Sequence, residues 1–592
     1  MGRQKLGRAT IAVLVAAGSA TDAAAYTNTI TSGGLHVRWE GTARLELAGN
    51  PINRSGLSER QVSDAVVRGL QRWKAIGQGR VDFDYWQGTS SDYDASSDYN
   101  GLSSLYFASN ARQETRLGPN VLGLTQVWYN TSTGAILETD IVLNDRDFAF
   151  STDPRDTSGA GSGQVGSTGR VFIENVLTHE LGHAFGLSHS GTMQATMLFM
   201  ESPEQAHLGC DELVAVSALY PAADRGARAA ITGSVVDAQA KPVYGAHVLA
   251  ISRERGTVLA SALSGPGGDY QIEGLEPGTY YLMAEPFFAG AAALPSYYSG
   301  INTRVCSGSD EFARTFLTQG NGSDLRPISL SAGAVAAAPA IKVQCRDGSS
   351  AAVSSQLSAS SPQTAPVIFD AATGGAGFGT SDSFSRGTTA YYRLKGVSGD
   401  LEVHAVGFSL YSRAHATLAL TDADGSPVDA QIVDPVYEGD SGYINHDSSI
   451  VAHSLPRGDY VLRVSADNIP VGDYPAGQVM VDGAHFIAIT GTLNRGALPL
   501  SGVMPENARC LISEKFSSYT PKSGPPPKRQ TVEEAGQTGF CNSIRREDGG
   551  GGGSTRGPGA GAIAGWLAPW LFMLAVVRYL RFRAPRRACA RS

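Results

Sequence analysis

The sequence is poor in charged residues and has no excess of positive charge. Charged residues make up 17% of the 592 residues, and the formal net charge is −8. Proteins that bind nucleic acids cluster Lys and Arg against the phosphates, and neither a basic stripe nor a helix-turn-helix or zinc-finger spacing occurs here. We therefore expect no nucleic-acid partner.

Cysteine is scarce as well. The chain has six cysteines and no C-x-x-C pair, which excludes a zinc ribbon and a thioredoxin-like redox site. Cys306 and Cys345 flank one glycine- and serine-rich region, and Cys510 and Cys541 flank another, so we predict two local disulfides and an oxidising compartment. Cys210 has no obvious partner and is expected to be a packed or unpaired thiol.

Long apolar runs are absent except near the two ends of the chain. At 592 residues the chain is too long for one hydrophobic core, so several domains are expected. Residues 1–25 combine basic residues, a short apolar run and small residues, as secretory signal peptides do. The apolar run is too short for a membrane anchor, so we predict export.

A second apolar run, residues 560–577, follows a Pro/Gly-rich stalk at 496–559 and precedes an Arg-rich tail at 578–592. At about 1.5 Å per residue, this run approaches the thickness of a bilayer, which predicts a transmembrane sorting helix. The arginines orient the tail to the cytoplasm. A buried core helix is the alternative interpretation.

The region at 35–222 mixes helical and strand patterns. Apolar residues recur at helical spacing after Ser58, a residue type that favours helix N-caps. Two further helices are predicted to end at Gly186 and Pro221, and alternating segments between the helices predict strands. The composition change after Pro221 predicts that this region folds and acts alone.

Short alternating segments separated by glycine and proline predict two all-β units after this region. The first unit spans 229–345 and the second 365–495, with a serine-rich linker between them. Neither unit shows a cluster of metal-ligating or nucleophilic residues. We expect these units to support the protein, to adhere to surfaces or to capture substrate.

Histidine is rare, yet three of the 11 histidines fall within eleven residues. His179 and His183 are four residues apart, so a helix places both on one face, where they can bind one metal ion. Gly186 lets the chain leave the helix sharply and return His189 as a third ligand, and the fourth metal position stays open as in catalytic zinc sites. Glu180 is the candidate general base.

Chance alignment of buried or surface histidines is the alternative. With each residue taken at a few per cent, the full pattern has a chance of about one in ten million per starting position. This alternative is negligible.

The segment "HELGHAFGLSHS" resembles the metzincin zinc-peptidase signature, and the Ser after His189 is similar to the matrixin branch. Met197, eight residues further on, matches the methionine of the family's Met-turn. The resemblance covers 35–222. It implies that His179, His183 and His189 bind zinc and that Glu180 polarises a water for attack on a peptide carbonyl.

Three further resemblances concern the remaining regions. The 229–345 unit resembles the carboxypeptidase regulatory-like domain, a small β-sandwich, and the 365–495 unit is similar to the β-sandwich on the C-terminal side of many secreted bacterial peptidases. The C-terminal tail resembles the Gly-Gly tails of Gram-negative exported proteins that rhomboid-like sorting proteases process. This implies a cell-surface or extracellular location, with membrane attachment until the tail is removed.

Three residues near a predicted strand end could hold calcium. Asp140, Asn144 and Asp145 offer the oxygen ligands that calcium prefers. A solvated turn at the end of the strand fits these residues equally well.

The sequence therefore predicts a multidomain protein with an α+β metzincin catalytic domain, two all-β sandwich domains and a C-terminal transmembrane segment. Our hypothesis is a secreted or surface-displayed zinc-dependent endopeptidase that hydrolyses protein or peptide substrates through a zinc-bound water activated by Glu180. The alternative is a catalytically silent metzincin-fold adhesin, which would usually lose Glu180 or a ligand, and neither is lost. A zinc-dependent deacetylase or amidase that acts on the cell wall uses ligand sets that contain Asp, and no such set occurs.

Overall fold

The computed structural model describes the greater part of the chain before residue 550 and none of it after. Its described residues are 29–31, 35–77, 79–88, 99–109, 117, 121–154, 156, 170–192, 195–199, 201, 205–221, 228–253, 257–287, 300–306, 311–319, 324–345, 360–372, 378–381, 389–406, 414–433, 437–438, 443–444, 448–468, 485–492, 516–524 and 542–545. The predicted signal peptide, transmembrane helix and Arg-rich tail lie outside these residues.

The first region contains all three α-helices of the described chain. Its elements in order are β1 (Ala43–Gly49), α1 (Glu59–Gly77), β2 (Val81–Gln87), β3 (Ser103–Phe107), β4 (Val121–Tyr129), β5 (Ile136–Leu143), β6 (Ala149–Ser151), β7 (Arg170–Phe172), α2 (Ile173–Ala184) and α3 (Cys210–Leu219). Strands β2, β1, β3 and β5 are parallel neighbours in one sheet, and β4 is antiparallel to β5.

Helix α1 begins where the sequence predicts. The Ser58 hydroxyl accepts a hydrogen bond from the Gln61 backbone N–H, and the Gln61 side chain accepts one from the Ser58 N–H. This reciprocal pair is a capping box that satisfies two backbone donors at the helix start. Along the helix the apolar positions at helical spacing are buried, among them Leu70 and Trp73.

Helices α1 and α2 are joined by a buried ionic contact. Glu174 on α2 accepts hydrogen bonds from Arg72 at 2.7 Å and from Arg68 at 2.5 Å. Glu174 and Arg72 are almost fully buried, so each charge depends on the other for compensation. Trp73 adds a hydrogen bond from its indole N–H to the Thr178 carbonyl at 2.8 Å. These contacts fix the two helices in one register.

The second region is a pair of β-sheets. One sheet has the order β10-β9-β12-β14 with β17 added to β12, and the other has the order β11-β8-β18 with β19 added to β8. The predicted disulfide between Cys306 and Cys345 is present. The strands of this region are β8 (Ala229–Val236), β9 (Ala246–Ser252), β10 (Thr257–Leu263), β11 (Asp269–Leu275), β12 (Gly278–Pro286), β13 (Phe312–Ala313), β14 (Thr315–Phe316), β15 (Thr318–Gln319), β16 (Asp324–Leu325), β17 (Ile328–Leu330), β18 (Val335–Ala337), β19 (Ile341–Lys342) and β20 (Gln344–Cys345).

One hydrophobic cluster runs through the first and second regions. It includes Phe185 and Leu219 of the first region together with Ile231 and Tyr280 of the second. All four side chains are almost fully buried. Because a shared core loses apolar contacts when either side is removed, this continuity speaks against the prediction that the first region folds alone.

The third region is built around a seven-stranded sheet with its own hydrophobic cluster. Its two longest strands, β23 and β28, pair antiparallel with several register shifts. A short 3₁₀ turn, Pro362–Thr364, precedes the sheet. The strands are β21 (Val367–Asp370), β22 (Phe378–Ser381), β23 (Thr389–Val406), β24 (Ala414–Asp422), β25 (Gln431–Val433), β26 (Tyr437–Glu438), β27 (Tyr443–Ile444), β28 (Ser448–Asn468) and β29 (His485–Thr492).

Two pieces of the predicted stalk return to the first region. Residues 516–522 contact strand β2, and β30 (Asn542–Arg545) pairs antiparallel with β4. These contacts were not expected, because a Pro/Gly-rich composition carries no signal for where a chain docks.

The predicted fold class needs correction. The chain is mostly β, with 49% strand and 14% helix, and a C-terminal transmembrane segment is not supported. Among the described residues, no helix is long and apolar enough to cross a membrane. The prediction rested on the length and hydropathy of the 560–577 run, with the Gly-rich stretch before it and the arginines after it, and such a pattern does not by itself make a segment a spanning helix.

The expectation for Cys210 is also wrong. Cys210 is disulfide-bonded, and its partner lies outside the described residues. The prediction considered only pairs of cysteines that flank the same local region. Pairing over a long stretch of sequence is decided by the fold, and spacing does not reveal it.

We predict that residues 26–345 form the smallest stable unit that contains the metal centre. A chain of residues 26–225 should lose more than about 3 kcal/mol of unfolding free energy, since it exposes several side chains that each contribute about 1.5–3 kcal/mol when buried. Urea unfolding of the two chains measures the difference. Equal unfolding midpoints would show that the first region folds independently.

Candidate metal centre

Helix α2 places two of the predicted ligands on one face. His179 and His183 are one turn apart and fully buried. Their ring centroids are 4.7 Å apart, and the two Nε2 atoms are 3.0 Å apart. The spacing of four residues therefore produces the convergence that the sequence predicts.

The third imidazole reaches the same point through a sharp turn at the end of α2. Gly186 adopts a φ of +95°, which L side chains rarely adopt, and a Cβ there would collide with the Val37 carbonyl oxygen. The ring of His189 lies 5.2 Å from that of His179 and 4.8 Å from that of His183. One nitrogen from each of the three rings lies within 4.8 Å of the others.

Backbone carbonyls fix the orientation of two of these rings. The Nδ1 of His179 lies 2.8 Å from the Thr196 carbonyl oxygen, and the Nδ1 of His183 lies 2.8 Å from the Leu187 carbonyl oxygen. A carbonyl oxygen only accepts, so Nδ1 carries the proton and Nε2 keeps a lone pair. The unprotonated Nε2 atoms of His179 and His183 therefore face one point, where each can offer its lone pair to a metal ion.

Burial keeps the three rings neutral. It lowers the pKa of His179 to about 4. Burial and the repulsion of a second imidazolium lower the pKa of His183 and His189 well below the usual histidine value. At neutral pH all three side chains are therefore in the neutral form that binds a metal ion.

Strand β4 lines the site on the side of Glu180. Thr125 donates a hydrogen bond from its hydroxyl to Glu180 Oε2 at 2.6 Å and contacts the Glu180 carbonyl oxygen at 3.0 Å. A Cβ at Gly123 would lie 2.6 Å from Glu180 Oε1 and 2.8 Å from Val176 Cγ1, so a larger residue there would displace the carboxylate from its observed position. The sequence analysis identified Glu180 but missed both residues of β4.

The predicted Met-turn residue lies beneath the histidines. Met197 is buried and packs against Gly182, which stands between the two helical ligands. The Ser190 N–H donates to the Met197 carbonyl oxygen at 2.7 Å, which closes the loop that follows His189. This loop also supplies the Thr196 carbonyl, so the packing of Met197 and the orientation of the ligands depend on the same segment.

Glu212 of α3 holds this loop from the other side. Its carboxylate accepts hydrogen bonds from the backbone N–H of Met197 at 3.0 Å and of Gly209 at 2.9 Å. Burial raises the pKa of Glu212 to about 7 despite these two donors. No pattern in the sequence marks this role, because a carboxylate that binds distant backbone groups has no motif.

The end of α2 is satisfied by side chains from two other elements. The indole N–H of Trp39 donates to the Ala184 carbonyl oxygen at 2.9 Å, and the Tyr220 hydroxyl donates to the Phe185 carbonyl oxygen at 2.6 Å. Carbonyl groups at helix ends have no partner within the helix, so these bonds stabilise the exit that leads to His189.

The second region packs directly behind the third ligand. Gly191 contacts His247 and Phe287, and Phe287 packs against Phe199, which in turn packs against His189. Thr192 adds a hydrogen bond from its hydroxyl to that of Ser261 at 3.1 Å.

His247 is held by a buried ionic network. Its Nδ1 lies 3.0 Å from Glu285 Oε1, and Arg314 donates from Nε to Glu285 Oε2 at 2.8 Å. Burial acts to raise the pKa of Glu285, but the positive charge of Arg314 and the hydrogen bond with His247 outweigh it and lower this pKa. The second region therefore packs a buried, hydrogen-bonded network against the loop after His189.

Comparison with known families assigns this region. The matrixin family matches residues 50–221. Residues 50–221 are a matrixin domain. The carboxypeptidase regulatory-like domain matches residues 230–290. The matrixin and carboxypeptidase regulatory-like resemblances are confirmed, whereas nothing in these matches concerns the 365–495 unit or the predicted sorting tail.

The matrixin domain carries the general chemistry of its family. Matrixins are zinc metallopeptidases, so the match supports zinc-metallopeptidase chemistry for this domain in general terms and implies zinc as its metal. The histidine cluster lies inside the matched residues.

Solved structures with some likeness include pilins, and no curated protein matches the sequence. BcpA, the major pilin subunit of Bacillus cereus, is 11% identical over 45% of this chain and 69% of its own, with a TM-score of 0.12. SpaD, a major pilin of Corynebacterium diphtheriae, is 9% identical over 41% of this chain and 57% of its own, also with a TM-score of 0.12. The chain spans 60% of the length of a BcpA variant. Likeness at this level says nothing about function.

Calcium is not supported at the predicted position. Asp140 accepts hydrogen bonds from the backbone N–H and the hydroxyl of Ser104 at 3.0 and 2.6 Å. Asp145 accepts two from Ser109, at 2.7 and 2.5 Å, and Asn144 donates to a backbone carbonyl at 2.8 Å. These polar groups hold neighbouring strands together, a use that composition alone could not distinguish from metal binding.

We predict that Gly186→Ala weakens metal retention much more than Gly56→Ala does. Both glycines have positive φ, at +95° and +77°, but a Cβ at Gly56 would contact nothing within 4 Å. Each variant bears a backbone cost of about 1–2 kcal/mol, and only Gly186→Ala also displaces the turn that carries His189. Zinc content after dialysis, measured by mass spectrometry, tests this. Equal zinc loss in both variants would contradict the assigned role of the turn.

Proposed function

We propose that the protein is an exported zinc endopeptidase whose metal is held by His179, His183 and His189. The observation that carries the proposal is the convergence of three neutral, buried imidazoles inside a matrixin domain. This donor set suits zinc, which binds imidazole nitrogen in tetrahedral sites and keeps one position open for catalysis.

Zinc bound at this point supplies a Lewis acid that makes a water and a peptide carbonyl more reactive. The chain itself supplies the base. Glu180 follows His179 on the helix, and Thr125 holds one oxygen of its carboxylate at 2.6 Å. This bond orients the carboxylate toward the site and limits its rotation.

In the proposed hydrolysis, Glu180 takes a proton from water as the water oxygen attacks the carbonyl carbon. The carbon–oxygen bond forms and the peptide carbon–nitrogen bond then breaks. Glu180 returns the proton to the leaving nitrogen, so the carboxylate is regenerated. The reaction consumes one water and yields one new carboxyl terminus and one new amino terminus.

Export is part of the proposal and rests on sequence and disulfides. Residues 1–25 carry the signal-peptide pattern. Cys210 is disulfide-bonded and Cys306 pairs with Cys345, as is typical of proteins that fold outside the cytosol. The substrates are proteins or peptides.

We predict that Glu180→Ala retains zinc while the rate of casein cleavage falls by about 10²–10⁴, the usual contribution of a general base. Phenanthroline should abolish the cleavage by wild-type protein. The matched control is Glu59→Ala, which removes an exposed carboxylate at the start of α1. Wild-type rates in the Glu180→Ala protein would contradict the assigned base. Zinc binding without any cleavage by the wild type would favour the silent adhesin.

A further inference from the structure

The C-terminal part of the chain is fastened to the outer edge of the matrixin sheet. The Tyr85 N–H donates to the Tyr519 hydroxyl at 2.9 Å, and the Lys522 N–H donates to the Tyr85 carbonyl oxygen at 2.8 Å. Tyr85 lies on β2, which forms one edge of the sheet. Residues 516–522, here called the anchor segment, thus use backbone groups of an edge strand.

Side chains strengthen this attachment. The Tyr519 ring packs on Phe83 with centroids 4.9 Å apart. The Lys522 ammonium lies 2.5 Å from an oxygen of Asp84 and 4.9 Å from the centroid of the Trp86 ring. An aromatic contact, an ion pair and a cation–π contact together make a specific docking site.

The same part of the chain also occupies the opposite edge of the sheet. β30 pairs antiparallel with β4, with Asn542 opposite Thr125 and Ile544 opposite Gly123. The 19 residues between Lys522 and Asn542 can span at most about 65 Å, whereas six strand spacings, from the anchor segment to β30, are only about 29 Å. The connection from one edge to the other is therefore well within reach.

The position of β30 coincides with the wall of the metal centre. Thr125 and Gly123 are the two β4 residues that bond and accommodate the Glu180 carboxylate. A chain paired with them runs past the catalytic carboxylate. An exposed strand edge binds extended peptides through its unpaired N–H and carbonyl groups, and one edge takes one peptide at a time.

We propose that the segment Asn542–Arg545 is an intramolecular occupant of the peptide-binding edge of β4 and excludes other extended peptides from it. The anchor segment keeps this occupant close to the edge. The consequence for activity rests on the proposed peptidase function, whereas the occupancy itself does not. The chain thereby carries its own competitor for extended substrates.

The connection between the anchor segment and β30 sets how strongly β30 competes with other peptides for the β4 edge. A segment attached through a short flexible linker has an effective concentration of about 1 mM. If the segment binds the edge with a Kd of about 0.1 mM, it lowers the apparent affinity for a second peptide about tenfold. Loss of the pairing should raise kcat/KM for an unstructured substrate by the same factor.

The test uses the full chain with Ser543→Pro and Ile544→Pro together. Along a strand, the N–H groups point alternately to one side and to the other. Of two adjacent prolines, one therefore removes an N–H group that donates to β4. Gly551→Pro with Gly552→Pro is the matched control outside β30. The measurements are hydrogen exchange over β4, hydrolysis of casein, and binding of a labelled peptide with the sequence of residues 542–547.

Peptide binding is measured in a Glu180→Ala background so that the probe is not cut. We expect the double proline variant to show faster exchange in β4 residues 121–125, about tenfold tighter peptide binding and about tenfold higher kcat/KM, with no change in the control. Unchanged exchange in β4, or unchanged peptide binding, overturns the occupancy. Faster exchange and tighter binding without casein hydrolysis by any form would sustain the occupancy and reject the proposed peptidase function.

Discussion

The metal centre depends on one constraint. Each buried imidazole needs a hydrogen-bond partner for one ring nitrogen, so that the other nitrogen is free to bind a cation. His179 and His183 meet it through the carbonyls of Thr196 and Leu187. Both carbonyls belong to chain that follows the helix, so the helix cannot set up its own ligands. The turn at Gly186 and the loop around Met197 bring these carbonyls back to the helix.

That loop in turn relies on parts of the chain that are remote in sequence. Glu212 on α3 binds the Met197 N–H, and the second region packs His247 and Phe287 against Gly191. A carboxylate buried in this way is costly unless backbone donors compensate it, so α3 and the loop must stay together. The β-sandwich is therefore part of the support of the metal centre, and the shared hydrophobic cluster shows the same dependence.

The sheet of the matrixin domain has two edges, and the described C-terminal segments use both. Edge strands expose backbone donors and acceptors, which makes them sites for pairing with another chain. Here the β2 edge takes the anchor segment and the β4 edge takes β30. The β4 edge also lines the metal centre beside Glu180. A segment that covers this edge therefore also lies at the entrance to the site.

The sequence by itself determined the local features. The spacing of His179 and His183, the need for glycine at 186 and the cap at Ser58 all follow from helix geometry and backbone sterics, and the structure contains each of them. Periodicity also placed the main helices and strands of the first region. Such features depend on residues within a few positions of one another, and this is the range over which pattern is informative.

Only the tertiary structure decided the rest. Thr125, Glu212 and His247 act on the metal centre across long stretches of sequence, and no local pattern marks them. The disulfide at Cys210 and the contacts of the predicted stalk with two sheet edges also join segments that are far apart in sequence. The spanning helix that hydropathy predicted at 560–577 is not supported, because an apolar run of sufficient length satisfies only one of the conditions for a spanning helix. Contacts between distant segments depend on the positions that the whole chain takes, and these are set by packing and not by spacing.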